Sequence, residues 1–136
     1  MNEHLNLWKN FVDSFANLHD GLYKSSILEK GSYAQVLENQ KINEFISQLT
    51  MSQREILVGM LENARIGGVH DALVVLNDRM AINDGEYKEG GCVMEFQPFA
   101  TELYYDYMGR KLGYSWPDEE GTESNCPPLP QNANNT

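Results

Sequence analysis

The sequence is poor in cysteine and in basic residues. Only Cys92 and Cys126 occur among 136 residues, and ten lysines and arginines stand against twenty aspartates and glutamates. Two cysteines do not form a disulfide framework, and such low usage is typical of the reducing cytoplasm. The formal net charge of −10 excludes a binder of duplex nucleic acid and of anionic membrane surfaces, since both tasks need clustered lysine and arginine.

Long hydrophobic runs are also missing. The first residues, MNEHLNLWKNFVDSF, contain no basic segment followed by an apolar run of signal-peptide length. No stretch elsewhere approaches the roughly 20 apolar residues that a membrane-spanning helix needs. We therefore expect a cytoplasmic protein without a membrane segment.

Diagnostic catalytic motifs are absent as well. No Gly-x-Ser-x-Gly elbow surrounds a serine, and Gly90-Gly91 is followed by Cys-Val-Met, which is no phosphate-binding loop. The three histidines show none of the spacings typical of metal sites. The sequence therefore predicts no cofactor and no metal, leaves the catalytic residues unknown, and does not favour an enzyme.

Apolar residues at helical spacing dominate what is present. The pattern predicts a mainly α protein, a single-domain bundle of about five helices over residues 1–117 with one small β-hairpin near 82–97. The helices are expected near 3–20, 40–49, 52–66, 69–81 and 99–112. The acidic, Pro-rich segment 118–136 cannot bury enough apolar area to fold alone and is expected to be a flexible tail.

Two local signals set expected helix boundaries. Ser52-Gln-Arg-Glu55 matches a capping box, which places a helix start at Ser52. Gly67-Gly68 costs about 2 kcal/mol relative to two alanines inside a helix, and we therefore expect a hinge between two helices there. His70 and Asp71 would then begin the second helix, in its cap and first turn.

The last expected helix carries the candidate site. On a helical wheel Glu102, Asp106 and Arg110 share one face, opposite a buried wall that contains Leu103 and Tyr107. Asp106 and Arg110 stand at i, i+4, the spacing of an exposed ion pair. Glu102, Tyr105 and the turn containing Trp116 have no packing role on this wheel, so a site could form among them.

A convergence of two helices would enlarge this site. If the helix from residue 69 lies beside the last one, His70, Asp71, Glu102 and Asp106 could form a metal site or an acid/base cluster. Antiparallel neighbours would bring Asp71 to Arg110 sooner than to Glu102, so an Asp71–Arg110 contact is favoured over the cluster. The candidate residues are His70, Asp71, Glu102, Tyr105, Asp106, Arg110 and Trp116.

Two blocks of sequence carry a resemblance. LTMSQREILVGMLENARIGGVHDALVVLNDRM and FQPFATELYYDYMGRKLGYSWPDEE resemble a group of small bacterial proteins of unknown function, with a Gly-Gly-x-His-Asp element before a Phe-x-Thr-Glu-x-Tyr-x-Asp helix and a Trp-Pro exit. The likeness spans Leu49 to Glu120. It implies a bacterial, cytosolic context and brings no activity with it.

The acidic net charge indicates the kind of partner that we expect. Ten carboxylates lie from Asp84 onward against three basic residues, so a partner steered by charge is basic. We expect an accessory binding or regulatory protein, such as an acidic inhibitor or immunity-type partner of a basic protein. The alternative is a metal-assisted hydrolase or a small-molecule binder that uses the His70/Asp71/Glu102/Asp106 cluster. The oligomeric state is not indicated by the sequence.

Overall fold

The computed structural model describes residues 2–82 and 85–119 and is mainly α-helical. Two very short strands, β1 (Lys88–Glu89) and β2 (Cys92–Val93), accompany the helices. The helices are α1 (Glu3–Ala16), α2 (Leu22–Lys24), α3 (Gln40–Ser47), α4 (Met51–Ala81) and α5 (Leu103–Lys111). The predicted mainly α class with one small hairpin is confirmed.

The chain divides into two compact units. One comprises Met1–Asn17 together with Asn77–Thr136, and the other comprises Leu18–Leu76. We call them the terminal unit and the central unit. The predicted single domain over 1–117 stays a prediction. Of the predicted tail, Asp118 and Glu119 belong to a 3₁₀ turn, and the remainder lies outside the described residues.

The core of the terminal unit lies between α1 and α5. Trp8 and Val12 of α1 are fully buried, as are Leu103 and Tyr107 of α5. Both pairs stand at i, i+4, so each presents one apolar stripe to its neighbour, as the spacing predicted. The Asn2 side chain accepts a hydrogen bond from the Leu5 amide and caps the start of α1.

The hairpin has the form expected from its two glycines. Lys88 pairs with Val93 and Glu89 with Cys92, leaving Gly90 and Gly91 as the two-residue turn. Their φ angles are +55° and +80°, and a type I′ turn requires positive φ at both central positions. The chain after β2 binds α1, because the Glu95 amide donates to the His4 carbonyl at 3.2 Å.

The central unit contains an element that the sequence did not predict. After α2 the helix continues as a π-helix over Ser25–Lys30 and stops at Gly31, whose φ is +73°. Ile27 from this turn, Ile46 from α3 and Leu73 from α4 are its buried apolar residues within the described chain. Tyr23 also donates a hydrogen bond to Glu62 of α4.

The expected hinge at Gly67-Gly68 was wrong, because α4 is one helix of 31 residues. The backbone hydrogen bonds from residue i to residue i−4 continue through both glycines. The stability of this uninterrupted series of hydrogen bonds offsets the low helix propensity of the glycines. Consequently His70 and Asp71 lie in the middle of α4, and neither caps a helix nor occupies a first turn.

The expected helix start at Ser52 was also wrong. The capping box is formed by Thr50 and Gln53, because the Gln53 amide donates to Thr50 Oγ1 at 3.2 Å and the Thr50 amide donates to Gln53 Oε1 at 2.9 Å. The reciprocal bonds are those of a capping box, moved two residues toward the N-terminus. α4 therefore begins at Met51.

The last helix begins later than predicted and ends as predicted. Gln97 and Ala100 have φ angles of +48° and +58°, which a right-handed helix does not allow, so α5 starts only at Leu103. At the other end Gly113, with φ of +86°, donates to the Arg110 carbonyl, and the Tyr114 amide donates to the Gly109 carbonyl. These two bonds form a Schellman motif.

Candidate functional site

Asp106 lies in the core of the terminal unit. Its side chain accepts hydrogen bonds from Trp8 Nε1 at 2.8 Å and from Thr101 Oγ1 at 2.5 Å, and the residue is 8% exposed. The predicted exposed face was therefore wrong for this residue. The helical wheel put Asp106 on the wet face because it could not show that α1 places an indole N–H opposite it.

The environment of Asp106 favours its protonated form. Burial raises the pKa of the carboxyl above 3.8, and the nearby charge of Glu102 also raises it. The hydrogen bonds from Thr101 and Trp8 act in the opposite direction, but burial outweighs them. The Asp106 carboxyl therefore loses its proton at a higher pH than an ordinary aspartate does.

Arg110 binds Asp13, and the predicted pairing with Asp106 was wrong. Arg110 Nε donates to Asp13 Oδ1 at 2.7 Å, and one terminal nitrogen donates to the Tyr114 carbonyl at 2.7 Å. The guanidinium also lies 5.1 Å from the centroid of the Trp116 ring, within cation–π range. Arg110 thus connects α5 to α1 and to the turn that follows α5.

The Trp116 ring contacts one aromatic and two cationic side chains. Phe99 stacks on the ring with centroids 5.5 Å apart, and Arg110 and Lys9 approach it as cations. Lys9 continues to the next turn, donating to Asp118 at 2.7 Å and to Glu119 at 3.1 Å. Burial lowers the pKa of Lys9, but the hydrogen bonds and charges of the two carboxylates outweigh it and raise the pKa.

These contacts leave an open pocket between α5 and the turn after it. Its volume is about 370 Å³, and its lining is more apolar than polar. The lining residues are Tyr105, Asp106, Met108, Gly109, Arg110, Tyr114, Ser115, Trp116 and Pro117. We call this the aromatic pocket. Tyr105, half exposed, forms part of its rim.

The predicted site residues fall in both units. Tyr105, Asp106, Arg110 and Trp116 line the aromatic pocket, and Glu102 is the N-cap residue of α5. His70 and Asp71 lie on α4 in the central unit, where His70 Nδ1 is 3.5 Å from Asp71 Oδ1. The convergence of His70, Asp71, Glu102 and Asp106 stays a prediction, and so does the alternative Asp71–Arg110 contact. Among residues 2–82 and 85–119, no group of three or more His, Cys, Asp or Glu side chains could hold a metal ion.

Sequence reasoning missed Asn77, which lies near the end of α4. Its side-chain oxygen accepts hydrogen bonds from the Leu103 amide at 3.0 Å and from Gln97 Nε2 at 3.3 Å, and the residue is buried. Asn77 thereby satisfies an N-terminal amide of α5, a role that the Glu102 side chain does not take. The only signal was an asparagine among the apolar residues of "ALVVLND".

A second pairing that the sequence did not show involves the thiol of Cys92. His4 Nδ1 lies 3.5 Å from Cys92 Sγ and 2.6 Å from the Val93 carbonyl oxygen. Because a carbonyl oxygen only accepts, the shorter contact requires that Nδ1 carries a proton and donates it to the Val93 carbonyl. This nitrogen is therefore not available as a base toward the thiol. The pair joins α1 to the hairpin.

The model of a family of unknown function, DUF6547, matches residues 1–118, and the chain belongs to this family. No curated protein and no solved structure matches the chain. Within the described residues, no helix is long and apolar enough to cross a membrane.

Proposed function

We propose that this protein is an accessory binding or regulatory protein that acts on a basic partner protein, as an acidic inhibitor or immunity-type partner does. The observation that carries the proposal is the aromatic pocket. Tyrosine and tryptophan around a concave, mostly apolar surface are typical of the anchor points of protein interfaces. Tyr105, at the rim and half exposed, is available to such a contact.

The charge of the molecule supports a basic partner. A protein of formal net charge −10 attracts positively charged surfaces and repels acidic ones, which increases the rate of encounter with the former. The anchoring contact and the long-range attraction then have separate roles. The pocket supplies contact area, and the surface charge selects the class of partner.

A small-molecule binder is the second candidate. The pocket volume of about 370 Å³ lies at the lower end of the range of roughly 300–1,000 Å³ typical of ligand sites. Within this pocket Asp106 is occupied by Trp8 and Thr101, and Arg110 by Asp13. A ligand would therefore depend mainly on apolar contact for its affinity. The metal-assisted hydrolase stays a prediction from the sequence.

We further propose a bacterial cytoplasmic setting. The sequence resemblance over Leu49 to Glu120 supports a bacterial source. The free thiol of Cys92 supports a reducing compartment. Fractionation of the native host, with an antibody against this protein, tests the location directly.

Affinity capture from the native host, with quantitative mass spectrometry, tests the function. The baits are the wild type, Tyr105→Ala and Leu112→Ala. Leu112 is a matched control because it belongs to the same segment and is also half exposed, but it does not line the pocket. We expect the wild type and Leu112→Ala to enrich the same basic protein, and Tyr105→Ala to reduce its recovery by about tenfold or more.

Circular dichroism of the three baits tests whether they are equally folded. Equal recovery by Tyr105→Ala, or enrichment of acidic proteins alone, would contradict the proposal. Loss of the partner by Leu112→Ala as well as by Tyr105→Ala would also contradict the pocket as the contact surface, because Leu112 does not line it.

A further inference from the structure

Gly109 occupies an unusual position for a glycine. It lies within α5, where glycine is less favourable than alanine, and it lines the aromatic pocket. A Cβ atom at this position would meet Tyr114 Cδ2 at 3.8 Å and Tyr114 Cβ at 4.0 Å, which are ordinary van der Waals contacts. The fold therefore has room for alanine, and packing does not explain the glycine.

Other glycines of the chain provide the contrast. Gly113 needs its positive φ for the end of α5, so its glycine has a conformational reason. Gly67 is helical, and a Cβ there would meet nothing within 4 Å, but it does not line the aromatic pocket. Gly109 differs from both, because an added methyl group would lie against Tyr114, itself a lining residue of the pocket.

The two residues that follow the pocket lining in sequence, which we take as part of its rim, favour positive charge. Asp118 and Glu119 directly follow the lining residue Pro117, and both carboxylates share the single ammonium group of Lys9. One negative charge therefore remains at this rim after the pairing. Their side chains are 40% and 55% exposed, so both can also meet a partner from solvent.

The interior of the pocket favours an uncharged group instead. Phe99 stacks on the Trp116 ring and the Arg110 guanidinium lies 5.1 Å from its centroid, so a cation that entered would meet a positive charge. An anionic group would meet the Asp106 carboxyl, which also lines the pocket. An apolar body inside the pocket, with a positive charge outside near Asp118 and Glu119, fits both regions.

We propose that the aromatic pocket receives one large apolar side chain from a partner peptide segment that carries Lys or Arg beside it, and that Gly109 determines this specificity by leaving space for the side chain. This inference rests on the proposed function and names the kind of segment that the partner presents. Charge complementarity at the rim favours a basic peptide over an acidic one.

Three blocked tripeptides, Lys-Trp-Lys, Lys-Ala-Lys and Glu-Trp-Glu, are the probes, and tryptamine is the small-molecule arm. Binding is followed by amide chemical shifts of the ¹⁵N-labelled full chain, with Gly109, Tyr114 and Ser115 as reporters. We expect Lys-Trp-Lys to shift these amides, and both other tripeptides to bind about tenfold or more weakly, because each lacks the apolar body or the charge.

Gly109→Ala and the control Gly67→Ala separate binding from stability. Both replacements favour the helix, so we expect both variants to unfold at the wild-type temperature or above it. Gly109→Ala should weaken Lys-Trp-Lys binding by about tenfold, the effect of one methyl group in a hydrophobic pocket, and Gly67→Ala should leave it unchanged. Unweakened binding in Gly109→Ala overturns the role of Gly109.

The remaining outcomes distinguish this inference from the proposed function. If Lys-Trp-Lys does not shift the pocket amides while Tyr105→Ala still loses the captured protein, the ligand class is wrong and the proposed function remains. If the tripeptide shifts the pocket amides but Tyr105→Ala retains the captured protein, the proposed function is wrong. Tryptamine binding as tight as Lys-Trp-Lys overturns the peptide partner in favour of a small cation.

Discussion

At the scale of single residues, Asp106 shows that a local sequence pattern does not reveal partners that are distant in the chain. Its partner Trp8 is 98 positions away in the chain, and Arg110 is 97 positions from Asp13. A helical wheel contains only neighbours in sequence, so it assigned both residues to an exposed ion pair. Four of the candidate residues, Tyr105, Asp106, Arg110 and Trp116, line one pocket, and their role as a site stays a prediction. Their partners required the fold.

A prediction on pH follows from the burial of Asp106. Its folded-state pKa is raised above 3.8, so its contribution to stability is complete below the pKa of the unfolded chain and is lost as pH rises through the folded-state pKa. Asp106→Asn removes this titration. The free energy of unfolding of the wild type relative to Asp106→Asn should therefore fall with rising pH above 3.8, measured by urea denaturation.

The same experiment can contradict the raised pKa of Asp106. If the two stabilities change in parallel over the whole range, Asp106 does not titrate with a raised pKa, and its burial in the folded state would have to be reconsidered. The comparison uses the isosteric asparagine because Asp106→Ala would also leave the Trp8 and Thr101 donors unpaired.

At the scale of elements, apolar periodicity predicted the helices well and their ends less well. The stripes of α1 and α5 bury the residues expected of them, including Trp8 and Tyr107. The error at the start of α4 arose because two local preferences compete there. Thr50-x-x-Gln53 and Ser52-x-x-Glu55 are both capping boxes, and the sequence alone does not show which one the preceding chain allows.

The capping box at Thr50 gives a prediction. Thr50→Ala removes the side-chain acceptor of the Gln53 amide and should lower the free energy of unfolding by about 1 kcal/mol, measured by urea denaturation. Ser52→Ala, at the second position of the helix, should change it by less than about 0.5 kcal/mol. The reverse order of the two effects would restore the start at Ser52.

One glycine within α4 and one directly after the end of α5 give another prediction. Gly67→Ala meets nothing within 4 Å in a continuous helix and should raise the free energy of unfolding by about 0.5–1 kcal/mol. Gly113→Ala must adopt a φ of +86° and should lower it by about 1–2 kcal/mol. Destabilisation by Gly67→Ala would instead favour a break in α4.

At the scale of the whole molecule, the net charge of −10 was known from composition alone, whereas the pocket was not. A charge total requires no coordinates, so the expectation of a basic partner comes from composition alone and stays a prediction. The pocket depends on the chain turning back at Gly113 and bringing Trp116 against Phe99, and no local pattern contains that return.

The charge predicts the kinetics of association. Salt shortens the range of electrostatic attraction from about 30 Å at 0.01 M to about 3 Å at 1 M. The association rate constant with a basic partner should therefore fall by about tenfold or more across this range, measured by stopped-flow fluorescence. An equal rate in dilute and concentrated salt would count against charge-steered binding.

The burial of Trp8 and Trp116 has an optical consequence. These are the two tryptophans of the whole chain, and both belong to the terminal unit. Indole emission therefore reports on that unit alone, whereas the 222 nm ellipticity comes from the helices of both units, including the long α4, most of which belongs to the central unit. Denaturation curves recorded by the two signals overlay if the units melt together and separate if each melts by itself.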